Sequence, residues 1–561
     1  MKRGDFDLWT APPMTRLQRF EQVTAYARAE RLPWRRTKSG LLQDLRSLEG
    51  RSVPERTRSS PLRESSYVPR RVYRAALTQR FQDELVTASI EKLKREAPDA
   101  SAFRLLTASQ KAVAAALVLT LAVCFAAAPL MTLITINILV TAYFLAAIFF
   151  RLYLTMISYG PEERRPPPPA VADEALPVVT ILLPVYDEAR CLASLAAALD
   201  ALDYPQDKLD IKLLLEADDD ATIAEARRLG LDRRFDCILI PPSQPRTKPK
   251  ACNHALYLAR GDLVVIYDAE DAPEPDQLRK AAAAFAAGDE RLACVQARLN
   301  YYNADENWLT RLFAIEYALW FDSLLPALER MAIPIPLGGT SNFFRTKILQ
   351  NIGGWDPFNV TEDADIGFRL ARRGYRTEML ASTTYEEAVG DVKSWLRQRS
   401  RWMKGHMQTW FVHMRRPAEF FRVAGWRGLL ATQIFIAGNF LSALINPLLW
   451  TVFLWWTFTR TETISAVFPG PLLALNLFAL LFGNGFFIYL GVIAPLKRGW
   501  SALSPHALLA PLYWQLASLA AYRALWQLLT RPSYWEKTNH FLSAASQERL
   551  AETSQTDKKA A

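Results

Sequence analysis

Asp262–Asp271 reads DLVVIYDAED, an apolar run that stops on three carboxylates within four residues. A short run rich in β-branched residues suits a strand buried on both faces of a parallel sheet, and the carboxyl end of such a strand is where these sheets bind ligands. Asp268 and Glu270, two apart, can jointly hold Mg2+ or Mn2+, hard ions that take carboxylate oxygens and bridge phosphates. The plain alternative is a solvated acidic turn.

Working outward, the same rhythm repeats upstream. VVTILLP (178–184), DIKLLLE (210–216) and CILIPP (237–242) read as strands, separated by helical stretches at Ala189–Leu202, Ala221–Leu229 and Lys250–Ala259. Strands alternating with helices predict an α/β, Rossmann-like domain with a mostly parallel sheet. Its strand ends carry chemistry. After the first, Tyr186 can stack on a base and Glu188 can bind a ribose or base, unless Pro184–Glu188 is only a turn. After the second, Glu216, Asp218 and their acidic neighbours form a carboxylate cluster or a helix cap. Arg246, Lys250 and Asn253 supply cationic and polar groups close by in sequence.

Downstream, LGGTSNFFR (337–345) is a Gly-rich turn that can line an acceptor site or simply reverse the chain. Thr361-Glu362-Asp363 precedes an amphipathic helical pattern, so Asp363 caps that helix or accepts the proton of an attacking hydroxyl, which needs a carboxylate about 3 Å from that oxygen. Ser394–Trp410, SWLRQRSRWMKGHMQTW, puts Gln398, Arg401 and Trp402 on one face of a helix. An amide, a charged fork and an indole there suit an anion and a sugar. A basic amphipathic helix lying on a membrane is the bland reading.

Apolar runs flank this region. Lys111–Leu130 and Leu133–Ile157 are each long enough to cross a hydrocarbon layer of about 30 Å at roughly 1.5 Å per residue. Three more follow: Gly428–Phe458, interrupted at Asn446-Pro447, Leu472–Ala494 and Leu508–Leu529. The chain has 561 residues and a net charge of +10, and residues 1–100 hold 21 Lys and Arg against 13 Asp and Glu, so most of the excess precedes the first run. Positive-inside placement beside anionic headgroups accounts for that without nucleic acid. The start, MKRGDFDLWTAPP, lacks an apolar signal core, which predicts no cleaved leader and a cytoplasmic N-terminus. Five scattered cysteines make no zinc or disulfide framework and fit a reducing compartment.

Residues of about 176 to 410 resemble the catalytic domain of family 2 glycosyltransferases, in particular the processive membrane branch of cellulose, hyaluronan and chitin synthases. The resemblance rests on four motifs in order: acids after the second strand, the D-x-D-like Asp268 and Glu270, T-E-D at Thr361–Asp363 and Q-x-x-R-W at Gln398–Trp402. It implies a glycosyltransferase A-type fold inserted between transmembrane helices. It also implies that Tyr186, Glu188 and one of Glu216 or Asp218 bind the uridine half of a nucleotide sugar, with Lys250 and Asn253 near the donor. Asp268 and Glu270 then meet diphosphate and metal, Asp363 is the general base, and Glu362, Gln398, Arg401 and Trp402 serve pyrophosphate and acceptor. Three departures bear on metal geometry and donor choice: Asp187 stands where Asn is usual, Glu216-Ala217 where two Asp are common, and the metal pair is Asp-Ala-Glu.

The expected organisation is a basic cytoplasmic region over 1–105, two spans over 108–158, a Pro-rich linker over 159–175, the catalytic domain over 176–410, interface helices and three to four spans over 411–530, and a tail over 531–561. The expected function is inverting transfer of a hexose from UDP-glucose or a related nucleotide sugar to a growing polysaccharide at a bacterial inner membrane, with Mg2+ or Mn2+ and export through the protein's own helices or export partners. Transfer of one sugar to a lipid carrier or short acceptor is a rival reading. An inactive membrane receptor or scaffold is another.

Overall fold

The structure, a computed structural model, describes residues 34–36, 42–44, 78–160 and 168–536. Most of the basic region expected over 1–105, residues 161–167 of the Pro-rich linker and the tail beyond 536 lie outside the described residues. Near the start, β1 (Trp34–Arg36) pairs antiparallel with β2 (Leu42–Asp44).

The chain forms two compact units. One takes the residues up to Glu96 together with Val171–Ala269 and Phe343–Pro357. In it β3 (Val179–Val185), β4 (Leu209–Glu216), β5 (Asp236–Ile240) and β6 (Leu263–Ile266) run parallel, in the order β5-β4-β3-β6, and residues 343–345 of β9 (Asn342–Arg345) pair antiparallel with β6. The expected strands all form, and β3, β4 and β6 are almost continuously buried. Burial extends to charge: Lys212, fully inside β4, is held by Asp210 and Asp236 at 3.2 Å each, because a buried ion persists only when paired. From β3 the chain steps outward to β5 and then crosses back to β6, so the order reverses between β3 and β6. In sheets of this kind ligands bind beyond the carboxyl ends of the strands at such a reversal.

The second unit takes Ala97–Ala170, Glu270–Asn342 and the chain from Phe358 onward. The span 176–410, expected as one domain, is thus shared between two units. Here β8 (Leu292–Tyr301) and β10 (Arg376–Glu386) are parallel, with β7 (Ala272–Pro273) antiparallel at the other side of β10. The Gly-rich turn before β9 is held from within: the Gly338 N–H donates to Gln296 Oε1 at 2.9 Å, Asn342 Nδ2 to the Gly338 carbonyl at 2.7 Å. It serves as framework.

Four helices among the described residues are long and apolar enough to cross a membrane: Ala108–Ala127, Pro129–Tyr159, Pro417–Thr459 and Gly470–Arg498. The first starts from a capping box between Thr107 and Gln110 and shows its side chains outward along its whole length. Asn446-Pro447 does not break the third, as had been expected; helix runs through Pro447, and the bend lies at Gly425, whose φ of +66° interrupts the helical path. The last apolar run becomes the helix Ala510–Thr530 and is not among the four. It carries Arg523 and Gln527, and its small residues Ala520, Ala521 and Ala524 pack on Met403 and Met407.

Candidate active site

In the first unit, the loop after β3 and the loop after β4 meet through one cation. Arg246 donates to the Tyr186 hydroxyl at 2.9 Å, lies over the Tyr186 ring at 5.2 Å and pairs with Asp218 at 2.5 Å. Asp218 is exposed, and the Arg246 hydrogen bond holds its carboxyl below the usual range. Asp187 takes a φ of +53°, a conformation an acidic side chain tolerates better than most, and its N–H donates to Asp219. Asp219 also accepts from the Thr222 N–H at 3.1 Å and so caps the helix Asp220–Arg228. The cap reading of the acidic cluster therefore holds for Asp219, while Asp218 and Tyr186 remain reachable. Glu188, half-buried, leans back on its own turn, its carboxylate accepting the Tyr186 N–H at 3.5 Å, and its N–H donates to Thr222 Oγ1 at 3.2 Å.

Two residues expected at the donor are turned inward. Lys250 and Glu216, 1% and 5% exposed, face each other at 3.0 Å. Burial pushes the Glu216 carboxyl up and the Lys250 ammonium down, each partly offset by the other. They form a sealed ion pair under the strand ends. Asn253 is a brace: its Nδ2 donates to the carbonyls of Ser89 and Trp355 at 3.0 and 2.7 Å, and its Oδ1 accepts the Trp355 N–H at 2.9 Å. With both ends of its amide engaged, it ties the helix Gln82–Glu96 to the Gly353-Gly354 turn, where Gly354 has a φ of +70° and no room for a Cβ beside Asn253. Asp268, half-buried at the end of β6, is met by Lys248 Nζ at 2.5 Å. Lys248 was missed from sequence; its signal is its place at the first turn of the helix Lys248–Leu256, which begins in the loop after β5.

In the second unit the T-E-D and Q-x-x-R-W segments are joined. Thr361 stands at the N-terminus of the helix Glu362–Arg372, and Asp363 is the one residue between 361 and 370 that is not buried. Its Oδ1 accepts the Ala364 N–H at 2.7 Å. Glu362 is buried. The expected helix, Val392–His413, runs alongside. Gly405 abuts Thr361 so closely that a Cβ would lie 2.3 Å from its hydroxyl. The Val360 N–H donates to Gln408 Oε1 at 3.1 Å, Asn359 Nδ2 to Thr409 Oγ1 at 2.9 Å, and His413 Nε2 lies 3.0 Å from Asp365 Oδ1. Asp365 also binds Arg369 at 2.7 Å. Burial drives the Asp365 carboxyl upward, but Arg369 and His413 overcome it and leave a net depression; burial lowers His413.

On that helix, Gln398 is buried and its Oε1 has no hydrogen-bond partner among the described residues. Arg401 lies over the Trp535 ring at 5.0 Å. Trp402 tilts against Phe313 at 5.7 Å and Tyr317 at 6.3 Å. Its other neighbour, Arg399, escaped sequence reasoning. Arg399 is buried, donates to both oxygens of Glu316 at 2.7 and 2.5 Å and to the Tyr513 hydroxyl at 2.7 Å, and sits 5.0 Å over Trp402. It orients the indole.

Asp268 and Glu270 are hard oxygen donors at a strand end, and both are half-buried rather than sealed. Asp268 already holds a cation, the Lys248 ammonium. No group of three or more His, Cys, Asp or Glu suited to a metal forms among the described residues. Carboxylate oxygens of this kind suit Mg2+, which keeps several waters and takes phosphate oxygens besides one or two carboxylates.

Residues 263–490 match the family model described as Glycosyl transferase family group 2. The chain is 28% identical over 278 residues to the probable glycosyltransferase YdaM of Bacillus subtilis (strain 168), covering 49% of this chain and 64% of that protein. It is 29% identical over 241 residues to the beta-monoglucosyldiacylglycerol synthase of Nostoc sp., covering 42% and 50%. The chain thus spans between half and just under two thirds of the length of these relatives. Among solved structures, the mannosyltransferase PcManGT from Pyrobaculum calidifontis, in complex with GDP-Man and Mn2+, is similar with a TM-score of 0.44 and 22% identity, over 70% of this chain and 99% of that chain. Over residues 263–490, then, this chain is similar to the glycosyltransferases of family group 2.

Proposed function

We propose that this chain is a membrane-embedded, inverting glycosyltransferase that moves a hexose from a nucleotide sugar, UDP-glucose foremost, to a hydroxyl acceptor. The observation that carries the reading is the state of two polar groups on paired helices: Asp363 alone stays reachable at its buried helix start, and Gln398 keeps a buried acceptor oxygen unsatisfied. A buried unpaired acceptor calls for a donor that arrives with a ligand, such as a sugar hydroxyl.

In this reading Tyr186, Glu188 and Asp218 hold the nucleoside end, with Arg246 fixing Tyr186 and Asp218. Asp268 and Glu270 would hold Mg2+ or Mn2+, whose charge would offset that of the diphosphate; Lys248 and Arg401 add fixed positive charge. Asp363 takes the acceptor hydroxyl's proton while that oxygen bonds to the anomeric carbon. The bond from the anomeric carbon to phosphate oxygen breaks, and the nucleoside diphosphate leaves with the electron pair. Trp402, set by Arg399, is the platform for the acceptor sugar.

The acceptor is a growing glycan, exported through the apolar helices, with the catalytic units on the cytoplasmic side of a bacterial inner membrane beside the basic N-terminal region. A second reading, one sugar transferred to a lipid, is favoured by the relative named as a beta-monoglucosyldiacylglycerol synthase. Membranes containing the protein are to be supplied with radiolabelled nucleotide sugars and Mg2+ or Mn2+. A labelled polymer supports the first reading, a labelled lipid of one sugar supports the second, and no transfer or donor hydrolysis with any nucleotide sugar overturns both.

A further inference from the structure

Arg151 is the one charged residue in the 31-residue helix Pro129–Tyr159, an otherwise apolar candidate span. It lies seven residues before Ser158, about 10 Å inside the end of the helix at 1.5 Å per residue. At that end, the Ile157 and Ser158 carbonyls are capped by Arg330 and Lys497, at 2.7 and 3.2 Å. Arg151 is separate from that belt. Its guanidinium lies over two ring faces, Phe435 at 5.6 Å and Phe487 at 5.1 Å. Phe435 belongs to the π-helical turn Thr432–Ala437 and Phe487 to the helix Gly470–Ile493, so three candidate spans meet at one cation. Single π-turns inside helices recur at functional positions.

What surrounds Arg151 does not neutralise it. Residues 428–459 and 470–493 contain no Asp or Glu. The segment Trp320–Leu324, whose Trp320 packs on Phe435 at 5.6 Å, contains Asp322, and Arg498 occupies both its oxygens at 2.6 and 2.8 Å. The Arg151 guanidinium makes no ion pair among the described residues. Two aromatic faces recover only part of what a guanidinium loses on leaving water. Arg151 is half-buried, so the residue is not sealed inside the bundle.

We propose that Arg151, between Phe435 and Phe487, is an intramembrane anion site that takes the headgroup phosphate of a bilayer lipid. The planar guanidinium presents paired donors that match phosphate oxygens, and a phosphate just inside the interface is what a bilayer offers at that depth. This inference rests on the reading of the four apolar helices as spans and not on sugar transfer.

The test uses full-length protein in lipid nanodiscs doped with photoreactive phosphatidylglycerol or, separately, photoreactive diacylglycerol of the same chains, with crosslinked peptides mapped by mass spectrometry. Labelling of the Pro129–Tyr159 and Gly470–Ile493 helices should be about tenfold stronger with the phosphatidylglycerol probe, should fall to the diacylglycerol level in Arg151→Gln and should persist in Arg151→Lys. Equal labelling of the wild type by the two probes overturns the proposal, whatever the variants do. Unchanged labelling in Arg151→Gln overturns it too. Suppression of the label by excess inorganic phosphate assigns the site to free anions and overturns the lipid assignment. Sugar transfer is assayed in the same nanodiscs; equal labelling beside intact transfer sinks this inference alone, and tenfold labelling without transfer sinks only the enzymatic reading.

Discussion

The carboxylates that follow β4 and those that open the helix Glu362–Arg372 are similarly dense in sequence, and the fold sorts both sets by the same physical rule with different partners. After β4, Glu216 is sealed against Lys250, Asp219 caps a helix, and Asp218 stays exposed beside Arg246. In the second set, Glu362 is buried, Asp365 is locked between Arg369 and His413, and Asp363 stays reachable. Each cluster thus mixes framework acids with reachable ones, Asp218 and Asp220 in the first and Asp363 in the second. Asp218 keeps a permanent cation in Arg246, while Asp363 accepts the Ala364 N–H and is the acid to which the proposed reading gives the proton.

Several substitutions sharpen this contrast. Asp363→Asn should lower transfer by about 10²- to 10⁴-fold and leave UDP binding by calorimetry near the wild-type value; near wild-type turnover ends the assignment of the base. Asp365→Asn should be a folding lesion instead, because it strips the partner from Arg369 and His413, with a loss of about 3–5 kcal/mol in denaturant titrations. Asp365 titrates below the ordinary carboxylate range in the folded protein, so its contribution is complete above about pH 4, the unfolded value, and is lost as pH falls through the lower folded value. A wild-type acid-unfolding curve that coincides with that of Asp365→Asn would refute the locked pair.

Lys250→Met should cost about 3 kcal/mol by leaving Glu216 buried and unpaired, and the double change with Glu216→Leu should recover most of it. If the double variant folds well yet loses nucleotide binding entirely, the pair touches the ligand after all. Arg246→Ala should change stability by less than about 1 kcal/mol, since its ion pair is partly exposed, while raising the KM for the donor with little change in kcat. The smallest effect concerns Lys404, whose ammonium burial lowers to about 8. A lysine lowered in the folded state is a charge cost that lifts as it deprotonates, so stability should rise between about pH 8 and the unfolded value of about 10.4; Lys404→Met should melt with a flatter pH profile across that window.

Much of this was legible in the residues. Strands β3 to β6 follow from apolar runs, the helix Val392–His413 from its pattern, and the four apolar helices from length and composition. These signals are local, fixed by neighbours a few residues away. The fate of individual polar groups is not local: Glu216 meets a lysine 34 residues on, Arg399 meets Glu316 across 83, and Asn253 meets Trp355 across 102. Nothing near Asn253 in sequence distinguishes a brace from a ligand-binding amide.

The sequence by itself determined strands β3 to β6, four of the five apolar runs as helices able to cross a bilayer, and the stretches that carry acids at strand and helix ends, because periodicity and turn chemistry act within a few residues. Only the tertiary structure decided which acid in each cluster is sealed and which remains reachable, and that Arg151 sits between aromatic rings from two other helices. That decision belongs to packing, because burying a charge costs so much that its state depends on whichever distant partner the fold delivers.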